Sequence, residues 1–305
     1  RIRDRQRGPM SATLHAFPDE VAQAERLARA LGRPVAYVDV HAFPDGEVIP
    51  RVPTPTSTTI VYRSLNNPNA KIVELLLAAD AWRRGGVERL VLVAPYLPYM
   101  RQDKIFRTGE PVSQRVIAGV LDAAFDRIVT VDPHLHRTNT LAELFHRAEC
   151  THLHSADALT PYLRQLPLAA DTMVIGPDSE SAPWVRQIAE PMRLAHAVMR
   201  KTRHGDTDVE ILGPDKLTLK SQPILLIDDI CSTGKTLREA VQTLKRADAG
   251  RIVIFVTHAL ADDAAINELI AAGADRIIST DSCTHKTNEI HLAGLLAKAL
   301  ETEPW

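Results

Sequence analysis

The run Ile224-Leu-Leu-Ile-Asp-Asp-Ile-Cys-Ser-Thr-Gly-Lys-Thr236 joins an apolar stretch to two adjacent acids and then to a small polar loop that opens a helix. Asp228 and Asp229 can accept hydrogen bonds from sugar hydroxyls or help hold a divalent cation, since carboxylate oxygens suit Mg²⁺. The loop after them suits an anion. Backbone N–H groups of residues 232–236, with the hydroxyls of Ser232, Thr233 and Thr236, stand where unpaired helix donors and the helix dipole both favour phosphate. A phosphorylated sugar would satisfy both ends at once. Gly234-Lys235-Thr236 also invites a Walker A reading, but that loop requires a glycine five residues before Gly234, where this chain has Asp229. A solvated acidic turn followed by a helix cap is the plainer alternative. The acidic pair, the compact loop and the strand-loop-helix context together outweigh it.

Other chemistry-bearing residues also follow strand-like runs. Arg101 and Gln102, beyond Leu90–Ala94, offer a fork of donors for phosphate and an amide, although alone they read equally well as surface residues. His134 follows Arg127–Val131 with Asp132 two positions earlier, and a neutral imidazole there could ligate Mg²⁺ or contact a polyphosphate. Phe43 can stack on a purine and Glu47 can accept a hydrogen bond from an exocyclic amine; otherwise both anchor a packed loop. The cationic run Arg200-Lys-Thr-Arg-His-Gly-Asp206 is either a charged hairpin turn or a mobile element. In the second case Lys201 and Arg203 close over the reactants and neutralise charge developing at phosphorus.

These residues need a scaffold that brings loop ends together. From Thr13 onward, β-rich runs alternate with amphipathic helical stretches, the pattern of parallel sheets covered on both faces by crossover helices. Strands are predicted at Val35–Val40, Thr59–Tyr62, Leu90–Ala94 and Arg127–Val131, then at Met173–Gly176, Ile224–Ile227, Ile252–Thr257 and Arg276–Ser279. Helices are predicted between Pro68 and Gly85, at Ser181–Ala189, Lys235–Lys245 and Asp263–Ala272, and finally at Asn288–Leu300. The alternation occurs twice, which gives an α/β chain with two tandem domains, each a mainly parallel sheet flanked by helices. The expected divisions are a flexible tail at 1–10, an N-terminal domain at 11–155 joined by a C-terminal helix at about 289–303, and a second domain at 156–288. In such sheets ligands bind beyond the carboxyl ends of the strands, where the candidates above fall.

Composition narrows the classes further. With 36 Lys plus Arg against 38 Asp plus Glu, no global basic field exists to hold a nucleic-acid backbone. Cys150, Cys231 and Cys283 lack any CxxC spacing, which argues against a disulfide framework or structural zinc. No long apolar run predicts a membrane span and no secretory signal is evident, so a cytoplasmic protein that binds neither membrane nor nucleic acid is expected.

The 228–236 segment resembles the phosphoribosyl-pyrophosphate motif of type I phosphoribosyltransferases, and other segments narrow the resemblance to the ribose-phosphate pyrophosphokinases. His41-Ala-Phe-Pro-Asp-Gly-Glu47 is similar to that family's adenine-contacting loop, and Pro95-Tyr-Leu-Pro-Tyr-Met-Arg-Gln-Asp103 to its nucleotide segment. Val131-Asp-Pro-His134 resembles its metal-histidine segment, Gly176-Pro-Asp178 the strand end that supplies a carboxylate near ribose phosphate and metal, and Lys201-Thr-Arg203 its mobile catalytic loop. The resemblance covers nearly the whole chain.

It implies Mg²⁺-dependent transfer of the β,γ-diphosphoryl group of ATP to the anomeric hydroxyl of ribose 5-phosphate. Lys201 and Arg203 would be catalytic; Phe43, Asp45, Glu47, Arg101, Gln102 and His134 would bind ATP; His134 and Asp178 would serve the metal. Asp178, Asp228, Asp229, Ser232, Thr233, Gly234, Lys235 and Thr236 would bind ribose 5-phosphate. The family's adenine loop serves a neighbouring subunit, so a homo-oligomer is implied. Many members carry a third acid where this chain has Ser232, and a second loop glycine where it has Lys235. This departure implies altered affinity within the same reaction. Alternatives are a phosphoribosyltransferase, which shares the 228–236 motif but needs neither the adenine loop nor Lys201-Thr-Arg203, and a non-catalytic regulatory relative that binds ATP without turnover.

Overall fold

The run Leu14-His-Ala16 is too short to carry a strand signal, yet it occupies the position about which the first sheet is built. The computed structural model describes residues 13–135, 137–138, 140–201, 209–212 and 219–304; the expected N-terminal tail and Arg203 lie outside the described residues. Contacts divide the chain into two units, one of residues 1–153 and 293–305, the other of residues 154–292.

In the first unit, β1 (Leu14–Ala16), α1 (Val21–Leu31), β2 (Val35–Tyr37), β3 (Asp39–Ala42), β4 (Val48–Arg51) and β5 (Thr58–Tyr62) come first. Then follow α2 (Pro68–Arg84), β6 (Arg89–Val93), α3 (Ser113–Ala124), β7 (Arg127–Val131) and β8 (Glu149–Leu153). Six strands form a parallel sheet in the order β2-β1-β5-β6-β7-β8, while β3 and β4 pair as a separate antiparallel hairpin. The expected single strand Val35–Val40 is therefore split in two, its second part leaving the sheet for the hairpin. Pro68 opens α2, where its missing N–H costs nothing, and Ile72, Leu75, Ala79 and Trp82 turn inward at helical spacing. The Trp82 indole N–H donates to Nδ1 of His15 on β1 over 2.9 Å, with both residues buried.

That bond requires an unprotonated Nδ1, and burial pushes the His15 pKa down to about 4. Because the unfolded imidazole titrates near its ordinary 6.5, the stability that neutral His15 provides is fully present above that pH and lost as pH falls through the folded value, by ~3 kcal/mol in all. His15→Asn keeps an acceptor without the titration. Its melting temperature is expected to fall less steeply than the wild type's between pH 6.5 and 4 in a calorimetric series, and parallel slopes would refute this.

In the second unit, α4 (Ala156–Leu163) and β9 (Met173–Gly176) lead to α5 (Ala182–Met192), β10 (Ala195–Lys201) and β11 (Val209–Leu212). Then come β12 (Ile224–Cys231), α6 (Lys235–Arg246), β13 (Ile252–Ala259), α7 (Asp263–Ala271), β14 (Arg276–Thr280) and β15 (Asn288–Ile290). The strand order is β11-β10-β9-β12-β13-β14-β15, and only β11 runs antiparallel. The sheet's two faces pack in separate layers: Leu226, Ile254, Leu237 and Val241 in one, Leu225, Phe255, Val185 and Ile188 in the other. Neighbouring strand residues point to opposite faces, so an apolar run such as Ile224–Ile227 suits a strand covered on both sides.

The last helix begins later than expected. Asn288–Ile290 forms β15 against β14, and the Asn288 amide donates to Ser279 Oγ and to the Thr280 carbonyl. Helix α8 (Ala293–Leu300) belongs to the first unit and packs on α1. Glu303, after α8, is buried; burial raises its pKa, but hydrogen bonds from Arg89 of β6 and Arg127 of β7 hold it below the usual glutamate value. Among the described residues, no helix is long and apolar enough to cross a membrane.

Candidate active site

In the second unit the chain leaves β9 toward β10 on one side, while β12 flanks β9 on the other, which creates a topological switch point between the carboxyl ends of β9 and β12. Asp178 follows β9 by two residues and Asp228 lies within β12. Asp178 Oδ1 accepts from the backbone N–H groups of Glu180 (2.9 Å) and Ser181 (3.3 Å), and the Ser181 hydroxyl donates back to the Asp178 carbonyl. Gly176 permits this tight return, because a Cβ there would stand 2.0 Å from Ser181 Oγ and 2.9 Å from Val185 Cγ2.

Asp228 is half-buried and Asp229 is buried; the Asp229 N–H donates to Asp228 Oδ1 over 3.0 Å. Burial first, then the charges of Asp229 and Asp178, push the Asp228 pKa well above the usual aspartate value. Three carboxyl groups thus share a region that cannot comfortably hold three negative charges, and ribose hydroxyls or a divalent cation would relieve it.

Beyond β12 the loop 232–234 turns sharply into α6. Gly234 takes a left-handed conformation (φ 69°), which any other residue would adopt only with strain, and as the N-cap it offers no side chain; Thr233 Oγ1 accepts from the Lys235 N–H only at 3.5 Å. Thr233, Lys235 and Thr236 are exposed around its first N–H groups, the arrangement that accepts a phosphate. The Lys235 ammonium sits 4.0 Å from Glu239 one turn along the same helix, so part of its charge is already met. Lys201 ends β10 opposite Val209 of β11.

In the first unit, the β3–β4 hairpin holds Phe43, Asp45 and Glu47 in its turn. The Phe43 N–H donates to the Glu47 carbonyl (2.8 Å), and the Glu47 N–H donates to Asp45 Oδ1 (3.1 Å). Phe43 remains 42% exposed, its ring edge-on to His41, so an aromatic surface is open to solvent at the turn. Arg101 and Gln102 are exposed beyond β6. Next to them, Asp103 receives both oxygens' bonds from one nitrogen of Arg137, at 2.9 and 3.0 Å. His134 is half-buried after β7, where Asp132 takes a left-handed turn (φ 37°) and lies 3.9 Å from His152.

The structure brings Asp178, Asp228, Asp229 and the 232–236 loop together in one unit, and Phe43, Asp45 and Glu47 together in one turn of the other. His134 and Asp178 belong to different units. Sequence reasoning left Arg137 without a role, although its ion pair tethers the Arg101–Gln102 segment; nothing in the spacing of residues 103 and 137 signals it. It also missed the charges at the β1–β5 switch point. There the buried Arg63 pairs with Asp19 and Glu74, and Lys71 donates to Glu20 (2.7 Å) and to the Ser64 carbonyl (2.8 Å). Burial pushes Glu20 up to about 7 against the opposing pull of Lys71. These acids and bases engage one another across β1, β5 and α2, which makes them a clamp.

Residues 13–124 match the family model of the N-terminal domain of ribose phosphate pyrophosphokinase, and residues 163–293 match that of the phosphoribosyl transferase domain. A ribose-phosphate pyrophosphokinase of Methanopyrus kandleri is 34% identical over 288 residues, covering 94% of this chain and 97% of the relative. A ribose-phosphate pyrophosphokinase 2 of Archaeoglobus fulgidus is 32% identical over 282 residues, covering 92% and 97%. The crystal structure of phosphoribosylpyrophosphate synthetase from Mycobacterium smegmatis aligns with a TM-score of 0.82 at 29% identity, over 95% of this chain and 97% of that one. With both domains matched in order and relatives similar along almost their entire length, the chain belongs to the ribose-phosphate pyrophosphokinase family.

Proposed function

We propose that the chain transfers the β,γ-diphosphoryl group of ATP to the C1 hydroxyl of ribose 5-phosphate, giving 5-phosphoribosyl 1-pyrophosphate and AMP. The observation that carries this reading is the crowding of Asp228 by Asp229 and Asp178 beside the N-terminus of α6, whose N-cap Gly234 has no side chain. An anion on the helix end and hydroxyls on the acids describe a sugar phosphate. In this assignment residues 232–236 hold the 5-phosphate, with Asp228 and Asp229 on the ribose hydroxyls. Phe43, Asp45, Glu47, Arg101, Gln102 and His134 of the first unit hold ATP.

The reaction is an in-line displacement at the β-phosphorus by a hydroxyl already present on the substrate. The protein's tasks are therefore alignment and charge stabilisation. Lys201 and Arg203 would neutralise the charge that develops on the transferring group, and closure of their segment would exclude water. The carboxylates around Asp228 have the oxygen donors and the unrelieved repulsion that fit Mg²⁺, with Asp178 as the assigned holder in the second unit; His134 is the assigned holder in the first. When bound, Mg²⁺ supplies neutralisation of the polyphosphate. The exposed Phe43 on its projecting turn supports a homo-oligomer in which this loop serves a neighbouring subunit. Free Cys150, Cys231 and Cys283 support a cytoplasmic location.

The test is incubation with ATP, ribose 5-phosphate and Mg²⁺, measuring AMP and 5-phosphoribosyl 1-pyrophosphate separately from ADP. Equal appearance of the first two is expected, with Lys201→Ala lowering kcat by about 100-fold or more. ADP as the product would mean single phosphoryl transfer. ATP binding without turnover would mark a regulatory relative, and a requirement for a base acceptor would mark a phosphoribosyltransferase.

A further inference from the structure

Gln114, in the first turn of α3, is 2% exposed, and a buried side-chain amide costs free energy unless its polar atoms are paired. Its partners lie on the segment that follows β6. The Gln114 amide donates to the Met100 carbonyl over 3.1 Å, and the Gln114 backbone N–H donates to the Gln102 carbonyl over 3.2 Å. One residue thus holds the chain on both sides of Arg101, while Arg101 and Gln102 themselves stay exposed. The helix gains as well, because its N-cap Val112 offers no polar side chain and the Gln102 carbonyl meets a donor of the first turn.

The held segment is strained. Tyr99 takes a left-handed conformation (φ 64°), which a bulky residue keeps only where the surrounding structure imposes it. From the other side, Gln114 Oε1 accepts from the hydroxyl of the buried Thr138 over 3.3 Å. Thr138 lies four residues beyond His134 and directly after Arg137, whose ion pair with Asp103 is a second tie between the same two stretches. Gln114 is therefore bonded to both stretches that follow β6 and β7.

We propose that Gln114 is a positioning residue for ATP. It fixes the backbone around Arg101 and links it through Thr138 to the stretch that carries His134, so that the donors of both are ordered before the polyphosphate arrives. Such ordering removes a cost that binding would otherwise carry. The inference rests on the assignment of Arg101, Gln102 and His134 to ATP, and it leaves the ribose 5-phosphate residues of the second unit untouched.

Gln114→Met keeps the length of the side chain and removes its amide. ATP with Mg²⁺ is titrated calorimetrically into the full chain, and ribose 5-phosphate separately. Gln114→Met is expected to weaken ATP about tenfold and ribose 5-phosphate less than about twofold. Thr138→Val, which leaves the bond to Met100, should weaken ATP about threefold and decides the matter if circular dichroism shows Gln114→Met unfolded. Leu121→Ala, a buried position of the same helix, should lower the melting temperature at least as far while leaving ATP affinity within about twofold. Arg101→Ala tests the underlying assignment. If it leaves ATP affinity unchanged, the assignment fails and the proposal with it; if it weakens ATP while Gln114→Met and Thr138→Val do not, the proposal alone is overturned. Equal weakening of ATP by Gln114→Met and Leu121→Ala, or of both ligands by Gln114→Met, also overturns it, because the role is then structural.

Discussion

Asp228→Asn is expected to make the protein more stable at neutral pH and much less active. In the free protein the Asp228 carboxyl is held above its ordinary pKa by burial and by the neighbouring charges of Asp229 and Asp178. For an acid whose folded pKa is raised, the stability contribution is fully present below the unfolded value and declines as pH rises toward the folded one. The amide has nothing to ionise, so the variant's melting temperature should match the wild type near pH 4 and exceed it at pH 8. Activity should move the other way. Losing a charged acceptor for a sugar hydroxyl is worth roughly 1.5–3 kcal/mol, or about 10- to 100-fold in kcat/KM. Calorimetry at both pH values and steady-state rates against ribose 5-phosphate check the two halves. A melting temperature that falls at pH 8 would show that Asp228 holds the fold together rather than waiting for a ligand.

Gly176→Ala should damage the same site from beneath. The added methyl would stand 2.0 Å from Ser181 Oγ and 2.9 Å from Val185 Cγ2, so the turn that carries Asp178 must shift. Overpacking of this kind costs about 1–3 kcal/mol. Because Asp178 is held by the N–H groups of residues 180 and 181, the shift should also raise KM for ribose 5-phosphate more than KM for ATP. Adding Ser181→Ala removes the nearest clash, leaving the 2.9 Å contacts with the residue-181 Cβ and Val185, so partial recovery of the melting temperature is expected. Unchanged stability of the single variant would mean that the turn relaxes without cost and that Gly176 is there for another reason.

Chemistry that lies along one stretch of chain was legible without a fold. From Ile224 to Arg246 the strand, the small loop and the helix come in the order their residue types predict, because apolar runs, small polar loops and an amphipathic helix are local preferences. But β12 continues through Asp228 and Asp229 to Cys231 instead of ending at Ile227, since β13 pairs with Asp228, Ile230 and Cys231 too. The hairpin turn of Phe43–Glu47 is partly local too. Its glycine and its Asp45 side chain close it, but the split of Val35–Val40 into β2 and β3 depends on where β1 runs.

Tertiary structure decided what pairwise contacts over long separations control. β15 is a strand because Ser279 and Thr280 offer it an edge and a polar anchor for Asn288, whereas of its own three residues only Ile290 favours a strand. The charge of Asp178 acts on Asp228 across fifty residues of sequence, since strand order places β9 beside β12. Arg137 reaches Asp103, and Trp82 reaches His15, by the same kind of closure. Local propensity acts within a few residues of chain, while charge repulsion, burial and close packing act through space, and only the folded chain determines which residues share that space.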